Sequence, residues 1–592
     1  MAIQLADSSG LNGLDQTHLK TKSFFSWFAI SISGLALLSL FSSYGYWWLQ
    51  SVRGPSVVYF NIALICAVFS GRTALMLIIF CLPLLPTLHS QVAMILHPRV
   101  DYFISYPGID VIAGYCTGAY FRHLYKTRRW LITKPTVPWP FGLLLLVLTI
   151  SVSLAVTRNL WQSATPFSLY DLGYNTLRFK VMDKANDYAP VADLIVYSFA
   201  ALIAIVILNF FQDKRNSDAL FFKPIIYSVI VSACWGIFQS QSSFGLTDFT
   251  KAYRPEDLGF GAEGFQPDIH AFAGHMLIGA VGLLGYVVYT ASGRMRYLAI
   301  FASLLCWIAI VLSKSRASLI FAALLTIAFA LFVLKSRSAR SSKNWWTPML
   351  LLALVITGAF VASYYVWLGA FFAALTNSDI SNFESINVLL RWRLEFHRAA
   401  ILMFETFPWM GVGQGNFYRL STIFELTQSK WLADHGGNNA HNYFLQTLAE
   451  TGIIGFGSCM LIFLWPFFNV KDRRKLIPVS MLILSVFLGN IYSHSLLIRE
   501  NLFLLASFVG LMYALTYDSF ATGGNQASAS IKYNTLRLYI TLLSVVTVAY
   551  FAASEIASSF YKMPFQFGGH CYQGGVEPKN CALQTSIREH GK

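Results

Sequence analysis

The run Ala440-His441-Asn442-Tyr443-Phe444-Leu445-Gln446-Thr447-Leu448-Ala449-Glu450-Thr451-Gly452-Ile453-Ile454-Gly455 puts a titratable side chain where a polar loop enters a long apolar segment. The residues before it, Asp434-His435-Gly436-Gly437-Asn438-Asn439, are loop and helix-capping types. A neutral imidazole at a helix N-terminus, at a water–lipid boundary, suits a general base for a substrate that is half lipid and half polar. Glu450 lies roughly 13 Å deeper at about 1.5 Å per residue. An ionisable group at that depth is a functional candidate, or else a structural acid hydrogen-bonded to a neighbouring helix. Gly452 and Gly455 are expected to let helices pack closely there.

Cations accompany this histidine. Ser313-Lys314-Ser315-Arg316 joins two apolar runs with almost no linker. A guanidinium offers a planar fork that fits phosphate oxygens, so Arg316 is a candidate anion ligand; the plain alternative is an interfacial anchor. Upstream of His441 lies Arg391-Trp392-Arg393-Leu394-Glu395-Phe396-His397-Arg398, then Pro408-Trp409-Met410-Gly411-Val412-Gly413-Gln414-Gly415. Helical spacing puts Leu390, Leu394, Phe396, Ile401 and Phe404 on one face and Arg391 and Arg398 on another. That pattern predicts an amphipathic helix along the membrane surface, whose arginines could simply snorkel to headgroups. Gly411, Gly413 and Gly415 have no βαβ context for a nucleotide loop and read as a tight turn. Arg254 and His270 are candidates for acceptor contacts, with ordinary loop polarity as the alternative.

The elements that must hold these residues are membrane helices. The chain has 592 residues, 56% hydrophobic and 12% charged, with mean hydropathy +0.54. Soluble proteins carry about 25% charged residues, so the fold class is an all-α polytopic membrane protein. Apolar runs predict about 15 transmembrane helices of roughly 20 residues each. They lie near 23–49, 56–71, 73–96, 102–120, 139–156, 191–211, 224–240, 271–291, 297–313, 317–334, 347–368, 442–468, 476–495, 501–517 and 536–553. The net charge of +15, from 43 Lys+Arg against 28 Asp+Glu, does not point to nucleic acid. The basic residues cluster in short loops, as the positive-inside rule requires.

Those basic loops all fall on the side of Lys20 and Lys22, which makes the N-terminus cytoplasmic and puts the C-terminus outside. The Ser313–Arg316 joint then sits outside, against the charge trend. Five parts are expected: a cytoplasmic N-terminus (1–22), N-terminal helices (23–223), a core (224–517) with a large outer loop at 369–441 carrying short helices, a last helix with its preceding loop (518–553), and an outer tail (554–592). Cys66, Cys81, Cys116, Cys234, Cys306 and Cys459 lie in apolar runs and read as small buried hydrophobes. Cys571 and Cys581 in the tail would meet an oxidising compartment, where a disulfide between them is expected. No metal-ligand spacing is present.

Three motifs taken together resemble a known family. His441-Asn442-x-x-Leu445-Gln446-x-x-x-Glu450-x-Gly452-x-x-Gly455 resembles the signature of the O-antigen ligase and polymerase superfamily. Arg393-x-x-x-His397…Pro408-x-x-Gly411-Val412-Gly413 is similar to its periplasmic-loop motif, and Ser313-x-Ser315-Arg316 to its hairpin motif. The family carries Trp where this chain has His397, which leaves Arg391 or Arg393 as the loop arginine; spacing to the Pro-Gly turn favours Arg393. The resemblance covers roughly 224–500.

The resemblance implies a GT-C-like fold in the bacterial inner membrane. It implies a glycosyltransferase with a glycan on undecaprenyl diphosphate as donor, and with lipid A-core or a second lipid-linked glycan as acceptor. Arg316 and Arg393 would hold the diphosphate and His441 would activate the acceptor hydroxyl, with Arg391, Asn442, Glu450 and Arg254 in support. Direct attack would invert the anomeric configuration. Arginines aimed at the leaving diphosphate would serve without a metal or cofactor, and no Asp-x-Asp motif lies in the outer loops. Ligase-type transfer in lipopolysaccharide biosynthesis is favoured narrowly over an O-antigen or exopolysaccharide polymerase. A protein O-oligosaccharyltransferase would be expected to carry a large soluble C-terminal domain. A non-catalytic transporter would be expected to show repeat symmetry and several charges in mid-membrane.

Overall fold

A computed structural model describes residues 53–96, 107–127, 137–164, 166–168, 172, 187–211, 217–242, 244–246, 261–291, 293–335, 392–435, 437–470 and 473–521. Among the described residues all regular structure is helical. The elements before the large loop are α1 (Arg53–Phe69), α2 (Gly71–Cys81), α3 (Leu85–Leu96), α4 (Gly108–Thr127), α5 (Trp139–Ser163), α6 (Ala189–Phe211), α7 (Ser217–Ser242), α8 (Ile269–Leu277), a π-helical turn at Ile278–Gly282, α9 (Leu283–Tyr289), α10 (Gly293–Ser313) and α11 (Arg316–Lys335). The loop carries α12 (Arg393–Thr406) and the short α13 (Phe417–Leu420), α14 (Phe424–Thr427) and α15 (Lys430–His435). Then come α16 (Tyr443–Asn469), α17 (Ile477–Ile491) and α18 (Arg499–Ala521).

Among the described residues eight helices are long and apolar enough to cross a membrane: Trp139–Ser163, Ala189–Phe211, Leu220–Ser242, Ile269–Tyr289, Gly293–Ser313, Arg316–Val333, Tyr443–Asn469 and Arg473–Ile491. This is the helical pattern of a multi-pass membrane protein. The expected spans near 23–49, 347–368 and 536–553 lie outside the described residues, as do Arg254, Arg391, Cys571 and Cys581. Helices α1, α4 and α18 occupy three further expected positions, so the count of 15 is not reached among the described residues.

The straight span expected at 73–96 is instead broken: α2 and α3 meet at a bend of 82°. Pro83 lies in the break; it has no amide hydrogen and its ring clashes with a helical continuation. Its carbonyl is taken by Gln266 Nε2 at 2.6 Å, and Gln266 Oε1 accepts from Asn501 Nδ2 at 2.9 Å. The bend is thereby tied to the chain ahead of α8 and to α18.

The span Ile269–Tyr289 is the innermost, nearly all of it buried. It contains the π turn, and the Ala280 carbonyl within that turn accepts from Ser303 Oγ of α10 at 2.7 Å. Cys306 is buried beside this turn, as expected of a small hydrophobe. Cys234, however, is exposed, and the other four described cysteines are half-buried. The outward faces of such a bundle meet lipid, which a thiol tolerates as well as a core does.

The loop helix α12 also departs from the expected face. It buries Phe396, Ala399, Ala400 and Met403, while Ile401 is exposed. The two alanines let neighbouring chain come close, and Val412, Phe417, Leu420, Leu432, Ala440 and Ala449 complete a small core of the loop's own. This core, rather than the membrane surface, selects the face.

Candidate functional site

The floor of the site is built by an insertion. Within α16, Gly452 has φ 64° and ψ −169°, so the helix is broken there. The segment 408–413 fills the break with its backbone. Ile453 N donates to Pro408 O at 2.8 Å and Ile454 N to Trp409 O at 3.2 Å. In return Val412 N donates to Ala449 O at 2.9 Å and Gly413 N to Glu450 O at 2.8 Å. The groups freed by the kink thus find partners, as a buried backbone requires. A Cβ on Gly452 would lie 2.4 Å from the Trp409 carbonyl carbon, so this glycine serves the insertion and not the helix–helix packing expected of it. Gly455 meets Thr451 of its own helix. Gly411, Gly413 and Gly415 have φ of 68°, 103° and 81°, which makes the expected tight turn.

Glu450 sits just before the break, 2% exposed. Its Oε1 accepts from Phe417 N and from Gln446 Nε2, both at 3.2 Å, and Gln446 Oε1 accepts from Ala440 N at 3.1 Å. Of the two roles open to it, the contacts favour the structural one: it fastens the turn and the residue before His441 to α16. Asn442 caps the helix, accepting from Phe444 N and Leu445 N at 3.0 Å each. His441 therefore stands just outside the helix, half-buried, with φ 51° and its amide donating to Asn439 Oδ1 at 2.8 Å.

A chain of polar contacts surrounds it. Asp268 caps α8: its Oδ1 accepts from His270 N at 2.7 Å and Ala271 N at 2.9 Å. His270 Nε2 lies 3.3 Å from Arg393 Nη2, and its Nδ1 lies 3.2 Å from Ser315 Oγ. Because a guanidinium can only donate, Nε2 accepts and Nδ1 carries the hydrogen toward Ser315. Arg393 also donates through Nη1 to Tyr492 O at 3.4 Å and lies 4.1 Å above the Tyr492 ring. The His441 ring packs edge-on against Phe396 and against His494, each at 5.5 Å between centroids. Trp392, at φ 62° immediately before Arg393, stacks on Trp431 at 5.0 Å. That stack clasps the chain entering α12 to the helix leading toward His441.

Of the residues singled out in the sequence, His441, Arg393 and His270 come together. The Ser313–Arg316 joint reaches the cluster through Ser315, while Arg316 itself opens α11 with an exposed side chain. Arg398 is exposed on α12. Burial first, then the charges of Arg393, His494, His270 and His397, hold the His441 imidazole well below its ordinary value. Neutrality was expected from the helix N-terminus; burial and the Arg393 guanidinium act in the same direction. Burial and Arg393 likewise lower His397.

Sequence reasoning missed Asp268, Tyr492 and His494. The span expected at 476–495 ends instead at Ile491, because Asn490 turns the chain: its Nδ2 donates to Ser495 Oγ and its Oδ1 accepts from Leu496 N, both at 2.9 Å. Asp268 did carry a signal, an N-cap type directly before an apolar run.

A family model described as O-antigen ligase matches residues 301–460. The match spans Arg316, Arg393, His441 and Glu450, and leaves out Asp268, His270 and His494. No curated protein matches the chain. Over residues 301–460 the chain is thus similar to the O-antigen ligase family.

Proposed function

We propose that the chain is an inverting glycosyltransferase of the inner membrane. In this reading it moves a glycan from undecaprenyl diphosphate to an acceptor hydroxyl at the periplasmic face. The observation that carries it is the meeting of a neutral imidazole, His441, with the anchored guanidinium of Arg393 on one rigid floor. The acceptor oxygen loses its proton to His441 and bonds to the anomeric carbon. The bond from that carbon to the diphosphate oxygen breaks, and its electron pair leaves with the diphosphate. Arg393 and Arg316 take up the charge that grows there. A guanidinium already tied to Tyr492 and His270 needs little reorganisation to do so.

We favour lipid A-core as acceptor, that is, ligase-type transfer. Transfer by the purified full chain from a synthetic donor, with lipid A-core and a lipid-linked glycan offered as separate acceptors, tests both points. Product with lipid A-core supports the ligase; product only with the lipid-linked glycan replaces it with a polymerase, and no product with either overturns the reading. Arg316→Lys is expected to lower the rate at least tenfold, since a point charge replaces a fork. An unchanged rate would remove Arg316 from the clamp.

A further inference from the structure

We propose that His494, oriented by Asp268, is a further contact to the donor diphosphate, donating from Nδ1 to a phosphate oxygen. This rests on the reading of the site given above and adds a residue to it. Asp268 divides its two oxygens between two tasks. Oδ1 caps α8, and Oδ2 lies 3.5 Å from His494 Nε2. Since a carboxylate accepts, Nε2 carries a hydrogen toward it. That leaves Nδ1 as the nitrogen available to a ligand. Among the described residues this atom is buried and has no hydrogen-bond partner. Buried polar atoms are nearly always paired, so an orphan at a site points to the ligand that completes it.

Its position fits a diphosphate. The His494 ring packs on His441 at 5.5 Å, and Arg393 grips the carbonyl of Tyr492 in the same short segment. Among the described residues the charged and titratable groups around His494 and His441 are Arg393 from α12, His397 one turn along α12, His270 at the start of α8, and Asp268. Burial would raise the Asp268 carboxyl, but bonding and charge from His494, then His270 and the Ala271 amide, hold it below the carboxylate range. One acid thus faces a guanidinium and four imidazoles. Such a pocket attracts an anion, and an anion placed there favours a second proton on a nearby imidazole. His494 would then donate from both nitrogens, one to Asp268 and one to phosphate.

The test uses the full chain in detergent with inorganic pyrophosphate as probe, titrated calorimetrically near pH 7.5 in two buffers of different ionisation enthalpy. The wild-type protein is expected to take up protons on binding. His494→Gln should weaken binding about tenfold, the weight of a charge-assisted bond, and lose most of that uptake. Asp268→Asn keeps an oxygen for the cap yet removes the carboxylate, and should weaken binding in the same direction. The double variant should bind no worse than His494→Gln alone, because Asp268 acts through His494. Wild-type binding with unchanged affinity or unchanged proton uptake in His494→Gln overturns this proposal alone, as does a double variant that sums the two losses. Failure of the wild-type protein to bind pyrophosphate overturns the diphosphate clamp itself, and this proposal with it.

Discussion

Two regions at the head of α16 lie close together and are built in opposite ways. At Gly452 the helix is broken, yet the exposed ladder groups at Ala449, Glu450, Ile453 and Ile454 are answered by the backbone of 408–413. Around His441, a few residues earlier, the valences are left open. Among the described residues His494 Nδ1 and His397 Nε2 are buried without partners, and His441, Trp392 and Lys314 hold left-handed backbone without being glycine. Left-handed backbone and orphaned polar atoms each cost stability, of order 1–3 kcal/mol apiece. The fully satisfied break supplies rigidity; the unsatisfied cluster keeps atoms available for a substrate.

Breaking the floor should have the largest effect. Gly411 has φ 68°, and a Cβ there would sit 2.4 Å from the carbonyl carbon and oxygen of Glu450. Gly411→Val is expected to abolish the insertion and with it the folded protein, read as loss of a monodisperse peak in size-exclusion chromatography. A well-folded, active variant would show that the inserted strand is dispensable.

The next effect is on pH dependence. His441 is held well below its ordinary value of about 6.5. A base must be neutral to act, so the rate of transfer should stay flat as pH falls through 6.5 and decline only below it, about tenfold per unit. Stability carries the same sign. Between the depressed value and 6.5 the unfolded chain binds the proton and the folded chain does not, so acidification through that window destabilises the fold. An acid limb centred at or above the ordinary histidine value would contradict the burial of the ring.

Smallest is the cap. Asn442→Ala removes the acceptor for Phe444 N and Leu445 N. It should cost about 1 kcal/mol by denaturation and lower activity only through His441, which precedes it. Loss of activity with the ring's titration unchanged would give Asn442 a direct part in the chemistry.

Much of the floor was legible because its signals are local. The three glycines of 411–415 announce a turn, and capping types stand ahead of the apolar run at 434–439, although the cap itself is Asn442. The helix α12 followed from the spacing of its apolar residues, although two alanines, easily discounted as apolar, decided which of its faces is buried. The bend at Pro83 was hidden inside a long apolar run, whose composition reports length and not direction. Gly452 was read as a packing glycine because nothing in its own neighbourhood names Trp409 as its contact. The Asp268–His494 pair was invisible for a related reason: the two residues lie on separate elements, and only the fold brings them within 3.5 Å. Short-range chemistry can be read along a chain; pairings set by tertiary packing cannot.

The proposed transfer turns on His441 as its base. The direct measurement is the initial rate of glycan transfer by His441→Ala, in purified full-length protein that elutes and melts like the wild type. The account predicts a fall of at least about a hundredfold, with pyrophosphate binding retained. Transfer at the wild-type rate would contradict it.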